Sequence, residues 1–176
     1  MAAVQHFVQN NYARSPEWAA VLSVAKRLEE YLSSELVVRR ISEANVPGAS
    51  SSTIESIVRD GASALGFGSN LKHLFQGTAN QGLRPDLFLR LENEGTGILL
   101  EVERGKTVQN NMDLLDFWKC HICEHAHYLF LVVPEELRQN SNKSPSHPYR
   151  AVLPRLEALF CERNYTNVRG VVVFGY

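Results

Sequence analysis

Residues 84–119 read RPDLFLRLENEGTGILLEVERGKTVQNNMDLLDFWK, and the predicted fold is built around this segment. It contains two apolar runs, 86–91 and 98–103, which are separated by the short polar segment 92–97. Apolar runs of this length on either side of a short Gly-containing segment predict two antiparallel strands joined as a β-hairpin. The sequence therefore predicts a hairpin near the centre of the chain.

Three acidic residues interrupt these apolar runs: Asp86 in the first, and Glu101 and Glu103 in the second. Side chains on a strand alternate between its two faces, so Glu101 and Glu103 share a face, to which antiparallel pairing brings Asp86. Buried carboxylates need a counter-charge or a metal ion, and their oxygens favour Mg²⁺ or Mn²⁺. The pattern predicts a divalent-metal site, with an exposed acidic edge of the sheet as the alternative.

Pro85-Asp86 followed by Glu101-Val102-Glu103 resembles the motif of the PD-(D/E)XK nuclease superfamily. Glu103 stands where that superfamily usually has lysine, and the Glu-x-Glu form is similar to that of some type II restriction endonucleases. The resemblance implies an α/β fold, with a restriction-endonuclease-like mixed central sheet flanked by helices. It also implies a Mg²⁺-dependent (or Mn²⁺-dependent) endonuclease that hydrolyses DNA phosphodiester bonds with metal-activated water.

The same resemblance implies roles for individual residues. Asp86, Glu101 and the carbonyl of Val102 would ligate the metal ion, and Glu103 would act as general base or bind a second ion. Glu55, on a helix before the hairpin, would be a further metal ligand.

Glu55 also has a structural interpretation. The segment Ser52-Thr53-Ile54-Glu55 has the spacing of a capping box, in which a glutamate three residues after the N-cap closes the start of a helix.

Two lysines can replace the lysine that position 103 lacks. Lys106 follows the second strand, and Lys119 lies on the helix predicted after it, where an ammonium group would stabilise the charge of a pentavalent phosphate. The alternative for Lys119 is an ordinary lysine whose stem covers apolar surface.

The helix that carries Lys119 is predicted to begin at Asn110 or Asn111, because asparagine is a common N-cap. Asp113 and Asp116 fall in its first turns, where the helix dipole favours acids. The predicted apolar stripe of this helix consists of Leu114, Leu115, Trp118 and Ile122.

The other elements complete a mixed α/β order. Ser15-Pro16-Glu17 predicts the start of a helix that runs to about residue 36, after an irregular arm at 1–13. The remaining predicted elements are a strand at 128–133, a helix at 151–160 and a strand at 168–174, and one further strand is sought in 35–41 or 71–80.

The domain prediction is a single nuclease-like domain over residues 1–176. Residues 1–48 would form an N-terminal arm and helix, and residues 50–176 the core.

Composition favours a cytoplasmic protein. No run approaches the about 20 apolar residues of a membrane span, and three cysteines do not form a disulfide framework. The net charge of −1 gives no overall basic signature. The basic segment 138–169 would follow a phosphate backbone or, alternatively, form an ordinary solvated surface.

A rival metal site is a zinc centre in the segment 120–127. This segment contains Cys120, His121, Cys123, His125 and His127, which are suitable zinc ligands. Against zinc, a structural site usually takes a second ligand pair from a distant segment, and buried thiols pack well in a helix.

The predicted partner is DNA, and no membrane is expected. Sequence specificity would come from loops 66–82 and 135–149, from a homodimer or from a partner protein. The alternative function is a catalytically inactive, nuclease-like subunit for nucleic-acid binding or assembly, which the glutamate at position 103 keeps open.

Overall fold

The computed structural model describes residues 2–69, 71, 74–75, 82–91, 95–105, 107–138, 144–161 and 165–176. The described elements are, in chain order, β1 (Ala3–Val8), α1 (Pro16–Leu32), α2 (Glu35–Ala44), α3 (Ser51–Ala64), β2 (Leu87–Leu91), β3 (Thr96–Val102), α4 (Met112–Ile122), β4 (Tyr128–Val133), α5 (Pro148–Glu157) and β5 (Gly170–Gly175). A 3-10 turn, Ala158–Phe160, extends α5.

The five strands form one mixed sheet in the order β1-β5-β4-β3-β2. The hairpin β2–β3 is antiparallel, as predicted, and β1 pairs antiparallel with β5 at the other edge. The three central strands β3, β4 and β5 are parallel to one another. Helices cover both faces, so the predicted mixed α/β architecture is confirmed.

The central strands are apolar throughout because both faces of the sheet are covered. Alternate residues of β3 and β4 face opposite layers: Leu100 and Phe130 pack with α1, α2 and α3, whereas Leu99 and Leu131 pack with α4 and α5. Glu101 has the same parity as Leu99, and the chain therefore directs it toward α4.

The N-terminal segment differs from the prediction. The arm predicted at 1–13 is wrong, because Ala3–Val8 is an edge strand whose residues are only partly buried and which therefore lacks a clear apolar period. Ser15 is the N-cap of α1 as predicted, accepting a hydrogen bond from the Trp18 N–H at 3.0 Å.

Two helices replace the single N-terminal helix of the prediction. The first ends at Leu32, and α2 follows after a break at Ser33 and Ser34. The strand sought in 35–41 is therefore helix, while most of the other candidate range, 71–80, lies outside the described residues.

The capping box predicted at Ser52 is wrong. The N-cap of α3 is Ser50, whose hydroxyl accepts a hydrogen bond from the Ser52 N–H at 3.2 Å. Glu55 lies beyond the capping position and forms an ion pair with Arg59 one turn later. The capping explanation for Glu55 is thereby removed.

Helix α4 begins after Asn111, as predicted, but its inward face differs from the prediction. Asn111 has a left-handed φ of 54° and does not cap the helix with its side chain. The inward face is formed by Asp113, Asp116, Phe117, Lys119 and Cys120. Leu115 and Trp118 of the predicted apolar stripe are instead 38% and 42% exposed.

The later elements lie close to their predicted positions. The strand predicted at 128–133 has those bounds, the helix begins three residues early at Pro148, and the last strand is Gly170–Gly175. In the part of the chain that the structure describes, no helix is both long and apolar enough to cross a membrane.

Candidate active site

The predicted hairpin joins Asp86 and Glu101 by reciprocal hydrogen bonds. The Asp86 N–H donates to Glu101 Oε2 at 3.2 Å, and the Val102 N–H donates to Asp86 Oδ2 at 2.8 Å. Each carboxylate is thus oriented by the backbone of the opposite strand. The structure brings together these two predicted ligands at the sheet edge of β3 that faces β2.

Pro85 leaves the Val102 carbonyl without a backbone donor from the residue opposite it. The β2–β3 register pairs Leu87 with Leu100, and its continuation sets Pro85 opposite Val102. Proline has no N–H, so it cannot donate to the Val102 carbonyl as another residue would in the ladder. That carbonyl oxygen therefore fits its predicted use as a metal ligand.

Lys119 reaches this pair from α4. Its Nζ lies 3.0 Å from Glu101 Oε1 and 2.9 Å from Asp116 Oδ1. The residue is only 9% exposed, so its interpretation as a solvent-reaching surface lysine is wrong. Lys106, the other lysine considered, lies outside the described residues.

Asp116 is a neighbour of the site that sequence reasoning assigned only to the helix dipole. It is fully buried, and its ion-pair partner among the described residues is Lys119. The sequence signal was the three-residue spacing of Asp116 and Lys119, which sets both on one helix face.

Burial raises the pKa of both hairpin carboxyls. For Asp86 the shift is reduced by the hydrogen bond from Val102 and increased by the charge of Glu55. For Glu101 the pKa lies well above its ordinary value, because burial and the charge of Asp116 outweigh the opposing charge of Lys119.

Glu103 follows on the same face at the end of the strand. Its N–H donates to the Val132 carbonyl at 2.8 Å, and its own carbonyl accepts from the Tyr176 hydroxyl at 3.3 Å. Burial raises the pKa of Glu103 to about 8, and the charge of Asp116 adds to the shift. A hydrogen bond that only protonated Glu103 can donate to Asp116 acts in the same direction.

Lys119 keeps its charge within this group. Burial lowers the pKa of Lys119, but the carboxylates of Glu101 and Asp116 together have the larger effect. The pKa of Lys119 therefore lies above its ordinary value. Burial likewise raises the pKa of Asp116, and Lys119 opposes that shift. Acids outnumber cations in this cluster, which therefore favours the binding of a proton or of a cation.

The fit of a metal ion to these residues follows from their chemistry. Within the described ranges, no three His, Cys, Asp or Glu side chains form a ready-made metal-binding group. Mg²⁺ is commonly held by one or two carboxylates and keeps several waters. Asp86 and Glu101 with the Val102 carbonyl meet that requirement, and Glu55 is close enough for its charge to act on Asp86.

The cysteines of the rival zinc segment pack into the interior. Cys120 and Cys123 are buried, and their Sγ atoms lie 3.9 Å from the carbonyl oxygens of Ala126 and Leu74. In segment 120–127, all of which the structure describes, no three of the candidate zinc ligands form a metal-binding group.

The basic segment 138–169 does not form a continuous cationic face among its described residues. Three of its arginines pair with acids of the same chain: Arg138 with Glu136, Arg155 with Asp113, and Arg169 with Glu17. Lys143 and Arg163 lie outside the described residues.

Comparison with known proteins gives a fold but no sequence family. No family model and no curated protein matches the chain. Its structure is similar to that of restriction endonuclease BglII, solved in complex with a DNA 16-mer, with a TM-score of 0.52 and 16% identity. The match covers 99% of this chain and 77% of the BglII chain.

This likeness defines the fold class. The chain has a restriction-endonuclease-like α/β fold, which is the architecture that the sequence predicted. The correspondence at this identity is one of fold, and the roles of the individual site residues remain predictions.

Proposed function

We propose that this chain is a metal-dependent endonuclease that hydrolyses DNA phosphodiester bonds with an activated water. The observation that carries the proposal is the reciprocal Asp86–Glu101 pairing, with Lys119 held against Glu101. The restriction-endonuclease-like fold supports it, since the similar BglII structure contains DNA.

The residues that would hold Mg²⁺ (or Mn²⁺) are Asp86, Glu101 and the carbonyl of Val102. When bound there, the ion would polarise the phosphodiester and lower the pKa of a bound water. The protein orients both carboxylates through backbone N–H groups, so little reorganisation is needed before binding. Glu55 would become a further ligand if its carboxylate left the ion pair with Arg59 and bound the metal ion.

Glu103 is the candidate general base of this Glu-x-Glu arrangement. It follows Glu101 by two residues and therefore lies on the same face, within electrostatic range of Asp86 and Lys119. A carboxylate there would accept the proton of the attacking water.

Lys119 would perform the task of the lysine that position 103 lacks. Its ammonium reaches Glu101 from α4 rather than from β3, and it stays positively charged among the surrounding acids. A fixed cation beside the metal ligands would stabilise the negative charge that develops on the phosphate.

The direct test is cleavage of plasmid and linear DNA with Mg²⁺ or Mn²⁺ by the wild type and by Glu101→Gln. Asp113→Asn is the matched control, because Asp113 is also a buried, paired acid but contacts Arg155 instead of the site. We expect metal-dependent cleavage in the wild type and in the control, and its loss in Glu101→Gln. Cleavage that survives Glu101→Gln would overturn the proposal.

The second candidate function is a nuclease-like subunit that binds DNA without cutting it. The glutamate at position 103 favours it, as does the ion pair that already engages Glu101. DNA binding that needs no metal ion, with no cleavage under any metal, would support this alternative.

A second copy of the chain or a partner protein would supply sequence specificity, acting with this domain in the cytoplasm. Light scattering of the free chain and of its DNA complex measures whether a homodimer forms. A monomer in both states would leave the partner protein as the source of specificity.

A further inference from the structure

Asp116 differs in its hydrogen bonding from the other buried aspartate of α4. Asp113 is also fully buried, and Arg155 donates to both of its carboxylate oxygens, at 2.6 and 3.2 Å. No arginine donates to Asp116 in this way: although it lies one turn away on the same helix, its ion pair among the described residues is with Lys119, whose ammonium also pairs with Glu101. A buried acid whose only need is structural is normally satisfied in the way that Asp113 is.

The cation nearest to Asp116 in the described site is also the cation of Glu101. Lys119 Nζ lies between Asp116 Oδ1 at 2.9 Å and Glu101 Oε1 at 3.0 Å. One carboxylate belongs to α4 and the other to β3, so the ammonium is held from two elements. A lysine side chain is flexible, and two anchors restrict its ammonium far more than one.

The presence of Asp116 is electrostatically unfavourable to the other acids. Its carboxylate and that of Glu101 both lie within 3.0 Å of one ammonium, so two buried acids are held close together against a single cation. A buried acid with so little counter-charge is typical of a functional site, where local rules are broken for a purpose.

We propose that Asp116 is a positioning residue that holds the Lys119 ammonium beside Glu101. The inference rests on the proposed function, in which Glu101 is a metal ligand and Lys119 stabilises the phosphate. A Glu101 carboxylate that is shared with a metal ion holds the lysine less strongly, and Asp116 is the anchor that remains. Asp116 acts through Lys119 and has no contact with the reacting atoms in this role.

The first test is a double-variant comparison of cleavage kinetics. We expect Asp116→Asn to lower kcat by about 10- to 100-fold, the range typical of groups that orient a functional residue, with KM for DNA unchanged. Asp116→Asn combined with Lys119→Met should cleave no more slowly than Lys119→Met alone, because both changes remove one function. Losses that multiply in the double variant would overturn the proposal.

The second test does not depend on cleavage. A buried, paired ammonium exchanges its hydrogens slowly, so Lys119 should give a ¹H–¹⁵N ammonium signal that Lys119→Met removes. We expect this signal to disappear in Asp116→Asn and to persist in Asp113→Asn, which is the matched control. Persistence in Asp116→Asn, or absence from the wild type, contradicts positioning by Asp116.

Asp116→Leu keeps the number and branching of the side-chain heavy atoms and leaves no unsatisfied polar atom at that position, so it replaces Asp116→Asn if the latter does not fold. The two tests separate the two proposals. A wild type that does not cleave DNA but shows the expected loss of the ammonium signal would overturn only the nuclease function.

Discussion

Two buried ionic groups lie near opposite ends of strand β4, and they differ in how well their charges are balanced. At the beginning of the strand, Glu17 Oε1 accepts hydrogen bonds from the Tyr128 hydroxyl at 2.5 Å and from Arg169 Nη1 at 2.6 Å. At its other end, Glu101 and Asp116 share the single ammonium of Lys119. The first group joins α1 to the sheet, and the second has more acids than it can neutralise.

The balance of charge within each group separates an ion pair that stabilises the fold from one that belongs to a reactive site. A satisfied pair contributes to stability and has no capacity left for a ligand. A buried acidic cluster with too few cations lowers the stability of the free protein. A metal ion or a substrate group can bind there and supply the missing positive charge. Substitution in the Glu101 group should therefore change activity, whereas substitution in the Glu17 group should change stability.

The largest expected effect is on activity at the Glu101 end. Glu101→Gln should lower the rate of metal-dependent DNA cleavage by at least about 100-fold, because it removes a preorganised charge from the reacting centre. Its thermal unfolding should change little, since a buried carboxylate of raised pKa is replaced by a neutral group of the same shape. Plasmid cleavage and calorimetry on the same samples measure both quantities.

The opposite pattern is expected at the Glu17 end. Glu17→Gln keeps an acceptor for Tyr128 but removes the charge that Arg169 pairs with, and should lower the free energy of unfolding by about 2 kcal/mol. Cleavage at a temperature where the variant is folded should equal that of the wild type. A variant that is as stable as the wild type in urea would show that this pair is not a structural element.

Mg²⁺ should stabilise the chain through the acidic end only. At ten times its Kd, the ion should raise the free energy of unfolding of the wild type by about 1.4 kcal/mol, because it binds the folded state. Addition of EDTA should reverse the shift, and Glu101→Gln should show none. Thermal unfolding with and without the ion measures it, and an equal shift in Glu101→Gln would place the ion elsewhere.

The smallest expected effect concerns pH in the metal-free protein. The pKa of Glu103 is raised to about 8 in the folded chain, whereas the unfolded chain titrates Glu103 in its ordinary range. Between these values the folded state holds a proton that the unfolded state has lost, so stability falls as pH rises through this window. The expected loss is on the order of 1 kcal/mol, reduced by partial exposure of the group.

Glu103→Gln tests the origin of this slope, since glutamine resembles the protonated acid. Urea unfolding in EDTA at several pH values should show a flatter dependence in the variant than in the wild type. An unchanged slope would assign the effect to another group of the cluster.

The hairpin and its acids could be predicted because they depend on local periodicity. The alternation that directs Glu101 toward one face, and the short turn that brings back Asp86, are properties of adjacent residues. Lys119 was identified as a candidate, but its burial was not, because a lysine inside a helix interface contradicts the usual preference for exposure.

The errors have non-local causes. Apolarity predicts Leu115 and Trp118 on the inward face of α4, whereas Glu101 of β3 pairs with Lys119 and Arg155 of α5 pairs with Asp113, and these contacts turn the polar face of α4 inward. The edge strand β1 has no amphipathic pattern, and only its partner β5, at the other end of the sequence, makes it a strand. No window of neighbouring residues contains that information.

The pairing of β1 with β5 also has a consequence for the order of folding. Contacts between segments so distant in sequence close a very large loop, and their entropic cost makes them late events in folding. During synthesis, β1 emerges before β5 and stays unpaired until β5 has left the ribosome. Strand β3, which carries Glu101, lies between β2 and β4, so both of its partner strands are available before β5 is made.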